Sequence, residues 1–313
     1  MTHPDCAPGA VDLSVRIGDL TLHNPVLTAS GTFGYGLEYE GLFDVAELGG
    51  LCTKGLSLEP RAGNPPPRIC ETPAGMLNAI GLANVGVEAF CADKLPALRE
   101  RNATVVPNIF GTSVDEFVRL AERLEGEAGI AALELNISCP NVQHGGIAFG
   151  VDPQMAAEVT SAVRRATTRP IWVKMTPEAG DLRAVALACQ GAGADALTAI
   201  NTIRGMAIDV GSWRPKLFNR TGGLSGPALR PIAVRVVWEL FEWVEIPIVG
   251  IGGVATAEDA VELMLAGATA VQVGTASLVD PLAAKKVLDG LERYCRDRGV
   301  AARELVGKAH DAR

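Results

Sequence analysis

No stretch of this sequence approaches the roughly 20 consecutive apolar residues that a membrane-spanning helix needs, so no such helix is expected. Positive charge is in short supply as well. The 28 Lys and Arg against 36 Asp and Glu leave a net charge of -8, which argues against a nucleic acid or an anionic membrane as partner. The seven cysteines are odd in number and widely scattered, with no C-x-x-C pair. That spacing excludes a zinc knuckle, argues against an iron–sulfur cluster held by this chain, and fits free thiols in a reducing compartment. There are only 4 histidines, no Ser-His-Asp arrangement and no cluster of carboxylates, so no metal site is expected. Met1 to Ala10 lacks a basic region followed by an apolar one, so no secretory signal is read there and a cytoplasmic location is expected.

What is present is a core-rich chain: 48% hydrophobic, 20% charged, with 35 glycines in 313 residues. That length allows two domains, but a single α/β barrel also reaches it, and no linker-like shift in composition divides the chain. One domain over 1–313 is expected. Val11 to Ile17 and Leu20 to Leu22, split by Gly18-Asp19, read as an N-terminal hairpin. Then an apolar strand, a polar or glycine-rich end and a helical stretch recur. The candidate strands are Pro25–Ala29, Gly50–Lys54, Thr104–Ile109, Ala131–Asn136, Pro170–Met175, Ala194–Ile200, Ile246–Gly250 and Ala270–Gly274. Ser113 to Leu124 opens with a capping-box spacing to Glu116 and closes near Gly126. Thr256 to Ala266 opens on Thr256 and Asp259 and stops at Gly267, while Asp181 to Cys189 ends at Gly191 and Gly193. Eight strands alternating with helices predict a (β/α)8 TIM barrel, with a doubly wound sheet as the rival. Glu59 to Asn84 and Asn201 to Gly226 are too long for ordinary loops and are expected to build the active-site mouth.

Chemistry-bearing residues fall at the downstream strand ends: Ser30, Lys54-Gly55, Asn108, Asn136 to Cys139, Lys174, Asn201-Thr202, Gly252-Gly253 and Gly274-Thr275. In a barrel all these ends meet on one face. Gly250-x-Gly252-x-x-Ala255 satisfies a loose dinucleotide fingerprint, but the acidic residue such a site wants at the next strand end is replaced by Gly274-Thr275. A phosphate clamp of Gly252-Gly253 and Gly274-Thr275 backbone N–H groups fits better. Lys54 and Lys174 each end an apolar strand, where a buried ammonium calls for an anionic partner. Asn78, Asn108, Asn136, Asn141 and Asn201 carry donors and acceptors that match an imide or lactam edge in both senses. Cys139 follows a buried strand in a Pro/Gly loop, where a thiol can be partly exposed and deprotonated, and His144 lies five residues on. The other six cysteines read as inert or surface thiols.

With these residues assembled, the chain resembles the class 1 dihydroorotate dehydrogenases, flavin enzymes of pyrimidine biosynthesis. The resemblance runs from Asn24-Pro25 to about Leu291 and rests on Ala29-Ser30-Gly31-Thr32-Phe33-Gly34, Asn78-Ala79-Ile80-Gly81-Leu82, Asn136-Ile137-Ser138-Cys139-Pro140-Asn141, and Asn201-Thr202 leading to Thr221-Gly222-Gly223-Leu224-Ser225-Gly226. The cysteine in the third motif marks class 1; the membrane-bound class 2 has serine there and an N-terminal extension. The wording around Asn78 and His144 to Gly150 is similar to the NAD-linked 1B subclass. The resemblance implies FMN held by Ser30, Lys54, Gly55, Asn108, Asn136, Lys174, Ile200, Gly226, Gly252, Gly253, Gly274 and Thr275. It implies substrate contacts from Lys54, Asn78, Ala79, Ile80, Gly81, Leu82, Asn136, Asn201 and Thr202, with Cys139 as catalytic base. For the 1B subclass it also implies a homodimer of this chain joined by two electron-transfer subunits, which carry FAD and an iron–sulfur cluster. The alternatives are a 1A-like homodimer using fumarate and a non-catalytic phosphate- or nucleotide-binding barrel.

Overall fold

The computed structural model describes residues 11–137 and 146–312. The hairpin forms first, with β1 (Val15–Ile17) antiparallel to β2 (Leu20–Leu22) and Ile17 and Leu22 fully buried. Next come β3 (Val26–Thr28) and β4 (Gly50–Cys52), then β5 (Ile69–Thr72) and β6 (Gly75–Asn78) in the first insertion. They are followed by β7 (Val105–Val106), β8 (Asn108–Ile109), β9 (Leu133–Leu135), β10 (Ile171–Met175) and β11 (Ala196–Ala199). The second insertion contributes β12 (Ile203–Met206), β13 (Ile208–Asp209), β14 (Arg214–Pro215) and β15 (Thr221–Ser225). Finally β16 (Ile248–Ile251) and β17 (Ala268–Val273) complete the strands of the described residues.

The main sheet is parallel and runs in the order β7-β4-β3-β17-β16-β11-β10-β9-β8. Its two edges, β7 and β8, are consecutive pieces of one passage of chain. Pro107 separates them because it has no N–H to give the ladder. The carbonyl of Pro107 still accepts from Glu134 N at 2.9 Å, and Asn108 O accepts from Leu56 N at 2.7 Å, so hydrogen bonds bridge the interruption on both sides. Nine strands therefore occupy eight positions and the sheet closes: the expected (β/α)8 TIM barrel, with the expected strand Thr104–Ile109 divided in two. Because both faces of a parallel barrel strand are covered, β3, β4, β9, β10 and β11 are buried along their full length, which is why they read as apolar runs.

Helices pack outside the barrel through stripes of helical period. In Val114–Glu125 the buried residues are Phe117, Leu120, Ala121 and Leu124, each large side chain stabilising the fold by about 1.5–3 kcal/mol. Ser113 caps this helix by accepting from Glu116 N at 3.3 Å. The return half of the expected box is displaced by one residue, since the Glu116 carboxylate accepts from Thr112 N at 2.6 Å rather than from the cap. In Ala257–Leu265 the full capping box between Thr256 and Asp259 forms, and Gly267 at φ 125 ends the element. Helix Leu182–Gly191 starts on Asp181, whose carboxylate accepts from Ala184 N at 2.9 Å.

The two long insertions meet. Their strands form an antiparallel sheet, β12-β15-β6-β5, in which Gly223 is opposite Asn78. β5 and β6 follow the downstream end of β4, and β12 follows that of β11, so this sheet covers the mouth of the barrel. A β13–β14 ribbon projects from it, and exposes Ile208, Val210 and Trp213.

Candidate active site

The downstream strand ends and the insertion sheet enclose a cleft of about 1310 Å³. This exceeds the usual small-molecule pocket of about 300–1,000 Å³ and leaves room for two ligands in contact. Ser30, Lys54, Gly55, Asn78, Ile80, Gly81, Leu82, Asn108 and Asn136 line it, from the first half of the chain. Lys174, Ile200, Asn201, Thr202, Gly226, Gly252, Gly253, Gly274 and Thr275 line it from the second.

One expected residue stands elsewhere. Ala79 does not line the cleft: it is 1% exposed and packs with Leu77 and Leu217. Side chains alternate along this extended segment, so Asn78 and Ile80 face the cleft and Ala79 turns away. Cys139 lies outside the described residues, as do Asn141 and His144.

The floor of the cleft is charged and buried. Lys174, 3% exposed on β10, places Nζ 3.1 Å from Ser30 Oγ and 3.3 Å from Glu134 Oε1. Glu134 is fully buried on β9. Its carboxylate also accepts from Asn108 Nδ2 at 2.6 Å, Gln272 Nε2 at 2.8 Å and Cys52 Sγ at 3.2 Å. Burial pushes the Glu134 carboxyl up, but the Lys174 charge and these donors outweigh it and hold the group below its ordinary value. Cys52 moves the other way: burial, then the Glu134 charge, push its thiol well above the ordinary range, so it stays protonated and donates. Sequence reasoning missed Glu134 and Gln272. The available signal was a lone acid inside the apolar run Ile130 to Leu135.

The rim is more open. Lys54 forms no ion pair among the described residues. Burial first, then the nearby Arg68 charge, lowers its pKa, with Glu38 opposing. Asn201 Nδ2 donates to Asn136 Oδ1 at 3.3 Å, and Asn201 Oδ1 accepts from Thr202 N at 2.8 Å. Asn78 Nδ2 donates to Gly223 O at 3.2 Å, tying this side chain to the insertion sheet.

The far end of the cleft is built from backbone. Gly252 at φ 134 and Gly253 at φ 78 take conformations that L side chains avoid. A Cβ on Gly253 would lie 2.7 Å from Arg230 Cβ, so a substituted residue is excluded by space as well. Gly226 and the Thr275 hydroxyl, which donates to Ser225 Oγ at 2.8 Å, complete this end. No backbone carbonyl of the described residues takes the N–H groups of Gly252, Gly253, Gly274 or Thr275. That is the arrangement an anion such as a phosphate requires.

At the floor, Asn108 Oδ1 is buried with no partner among the described residues. An acceptor of this kind suits a ring imide N–H, and Lys174 suits a ring oxygen that gains negative charge. The chemistry of the donor set thus fits FMN: amide groups and a cation at one end, free N–H groups at the other. Among the described residues, no group of three or more His, Cys, Asp or Glu could hold a metal ion. None of the described helices is long and apolar enough to cross a membrane.

Comparison with known proteins agrees with this geometry. The family model described as dihydroorotate dehydrogenase matches residues 12–295. A protein of Geotalea uraniireducens named dihydroorotate dehydrogenase B (NAD(+)), catalytic subunit, is 54% identical over 300 residues, covering 96% of this chain and 98% of the relative. Relatives with the same name from Trichlorobacter lovleyi and Desulforudis audaxviator are each 56% identical, covering 92% and 96% of this chain and 95% and 98% of their own length. This chain belongs to the dihydroorotate dehydrogenase family.

Proposed function

We propose that this chain is the catalytic subunit of an NAD-linked dihydroorotate dehydrogenase, oxidising dihydroorotate to orotate in pyrimidine biosynthesis. The observation that carries the reading is the single cleft in which a sealed cation, a ring of asparagine amides and an anion-ready glycine turn stand together. Ser30, Lys54, Gly55, Asn108, Asn136, Lys174, Ile200, Gly226, Gly252, Gly253, Gly274 and Thr275 hold FMN. When bound, FMN supplies the acceptor for the hydride that leaves C6 of the substrate.

The rest of the chemistry belongs to the protein. Lys54 pairs with the substrate carboxylate. Asn78, Asn136, Asn201 and Thr202 match the amide and imide edges of the ring, with Ile80, Gly81 and Leu82 beside it. The Cys139 thiolate takes the C5 proton, a task suited to a group whose pKa lies near neutrality. Loss of that proton and of the C6 hydride leaves the C5–C6 double bond of orotate. Lys174 supplies the positive charge that a reduced ring requires.

The chain works as one barrel domain in the cytoplasm, as a homodimer carrying two partner subunits with FAD and an iron–sulfur cluster. The electrons reach NAD through that partner. Co-purification from the native host, with iron, FMN and FAD measured in the complex, tests the reading. The expected result is FMN on this chain, iron and FAD on a partner, and NAD reduction by the complex. Fumarate reduction by the isolated chain would replace it with the 1A-like alternative. A colourless chain unable to take up FMN would leave a non-catalytic barrel.

A further inference from the structure

Four side chains from four strands of the barrel meet at one carboxylate on a fifth. Glu134 on β9 receives Asn108 from β8, Gln272 from β17, Cys52 from β4 and Lys174 from β10. Of these only Lys174 and Asn108 line the cleft. Glu134 itself has no exposed surface and does not line it.

An ionised carboxylate is costly to bury unless it is paired and hydrogen-bonded. A barrel interior of this type is ordinarily filled by Val, Ile and Leu. Glu134 with three neutral donors and one cation is therefore an expensive choice for packing alone. Its geometry serves Lys174: the carboxylate fixes Nζ at 3.3 Å and, with Ser30 Oγ at 3.1 Å, aims the ammonium at the cleft floor. It also offsets part of that ammonium's field.

We propose that Glu134 is a positioning residue that sets how much positive charge Lys174 presents to the bound flavin. This rests on the reading of the cleft as a flavin site. A neutral residue at 134 removes the Glu134 share of the compensation of the Lys174 charge, so the floor stabilises negative charge on the ring more strongly. A carboxylate kept there lets the oxidised and reduced forms be held with more even strength, as an enzyme that must hand its electrons on requires.

The test uses the isolated, FMN-loaded chain and sulfite, which adds to oxidised flavin and places negative charge on the ring. Glu134→Gln keeps the shape and removes the charge. The expected result is a sulfite dissociation constant about tenfold lower or more, since an opposite charge has been withdrawn from a low-dielectric site. Cys52→Ala loosens the same cluster without changing its charge, and its constant should stay within about twofold of the parent. No change in Glu134→Gln, or an equal change in Cys52→Ala, overturns the proposal.

Melting of the FMN-free chain gives a second readout, independent of flavin. Glu134→Gln should lower the melting temperature. In a Lys174→Met background, where the unpaired carboxyl takes up a proton, the same change should move it by less than about 2 °C. Equal losses in both backgrounds overturn the pairing. If Glu134→Gln does not accumulate folded, recovery in the double variant supports the proposal and continued failure overturns it. A chain that binds no FMN but passes the melting test refutes the flavin reading while leaving the ion pair intact.

Discussion

Lys54 and Lys174 hold equivalent places in the sequence, each closing an apolar strand, yet they work in different media. Lys174 sits at the floor of the cleft, 3% exposed and matched to a buried carboxylate. Lys54 sits at the rim with no ion pair among the described residues, and its protonated form is disfavoured by burial and by Arg68. The first lysine is a fixed part of the protein's own charge balance. The second is a charge waiting for a ligand. The difference teaches that a strand-end cation identifies a site but not its role; the partner across the barrel does that.

Breaking the floor should have the largest effect. Lys174→Ala leaves Glu134 buried and unpaired, at a cost of about 3–5 kcal/mol of stability. FMN retention should weaken or vanish with it. Denaturant titration and the flavin absorbance of the purified variant check this; a fully flavinated variant of unchanged stability would erase the contrast between the two lysines.

Removing the base should stop the chemistry while leaving the floor alone. Cys139→Ser should keep the yellow protein and slow anaerobic flavin reduction by dihydroorotate by about 10²–10⁴-fold. An unchanged rate would take Cys139 out of the reaction.

Breaking the rim should cost affinity rather than stability. Lys54→Gln should raise the KM for dihydroorotate by about 10- to 100-fold, the worth of one charged hydrogen bond. In the parent enzyme, substrate binding should fall as pH rises through the lowered Lys54 pKa, and the variant should lose that limb of the profile. The stability sign is opposite. Because the folded pKa lies below the unfolded one, the folded state binds fewer protons in that window, so Lys54 makes stability rise with pH.

The smallest effect lies at the barrel's other end. Burial raises the Glu125 carboxyl, but hydrogen bonds from Thr167 and Thr168 and the Arg169 charge prevail and bring it down to about 2. Its contribution is present above the ordinary glutamate value of 4.5 and is lost as pH falls towards about 2. Acid titrations of the parent and of Glu125→Gln should therefore differ by a small, constant amount near neutrality and converge at low pH. Curves that stay parallel to the lowest pH would assign that carboxylate no pH-linked role.

All eight barrel positions were legible because parallel strands buried on both faces must be apolar. Their ends were less so. The Thr104–Ile109 run was expected as one strand although Pro107 divides it. The insertions were recognised as mouth-builders by length, but their sheet was not foreseen. Segments such as Thr221-Gly222-Gly223-Leu224-Ser225 carry too little β preference to announce a strand, and the sheet exists through pairing with residues far away. Most of the expected site residues line the cleft because strand ends of one barrel must share a face. Ala79 was carried in by its neighbours in a motif, and only the alternation of the extended chain removes it. Glu134 was hidden for the opposite reason: one charge within five apolar neighbours, its meaning supplied by β4, β8, β10 and β17.

The sheet over the mouth sets a schedule for the protein's birth. Asn78 and Gly223 are 145 positions apart, and their pairing joins β6 to β15. A chain emerging from the ribosome at about 5–20 residues per second exposes Asn78 long before Gly223 exists. The early strands must therefore wait, their β6 edge unpartnered, until the second insertion arrives. The far end of the cleft comes later still, since Gly252, Gly253, Gly274 and Thr275 all follow Gly223 in the chain, so the whole FMN cradle exists only near the end of synthesis.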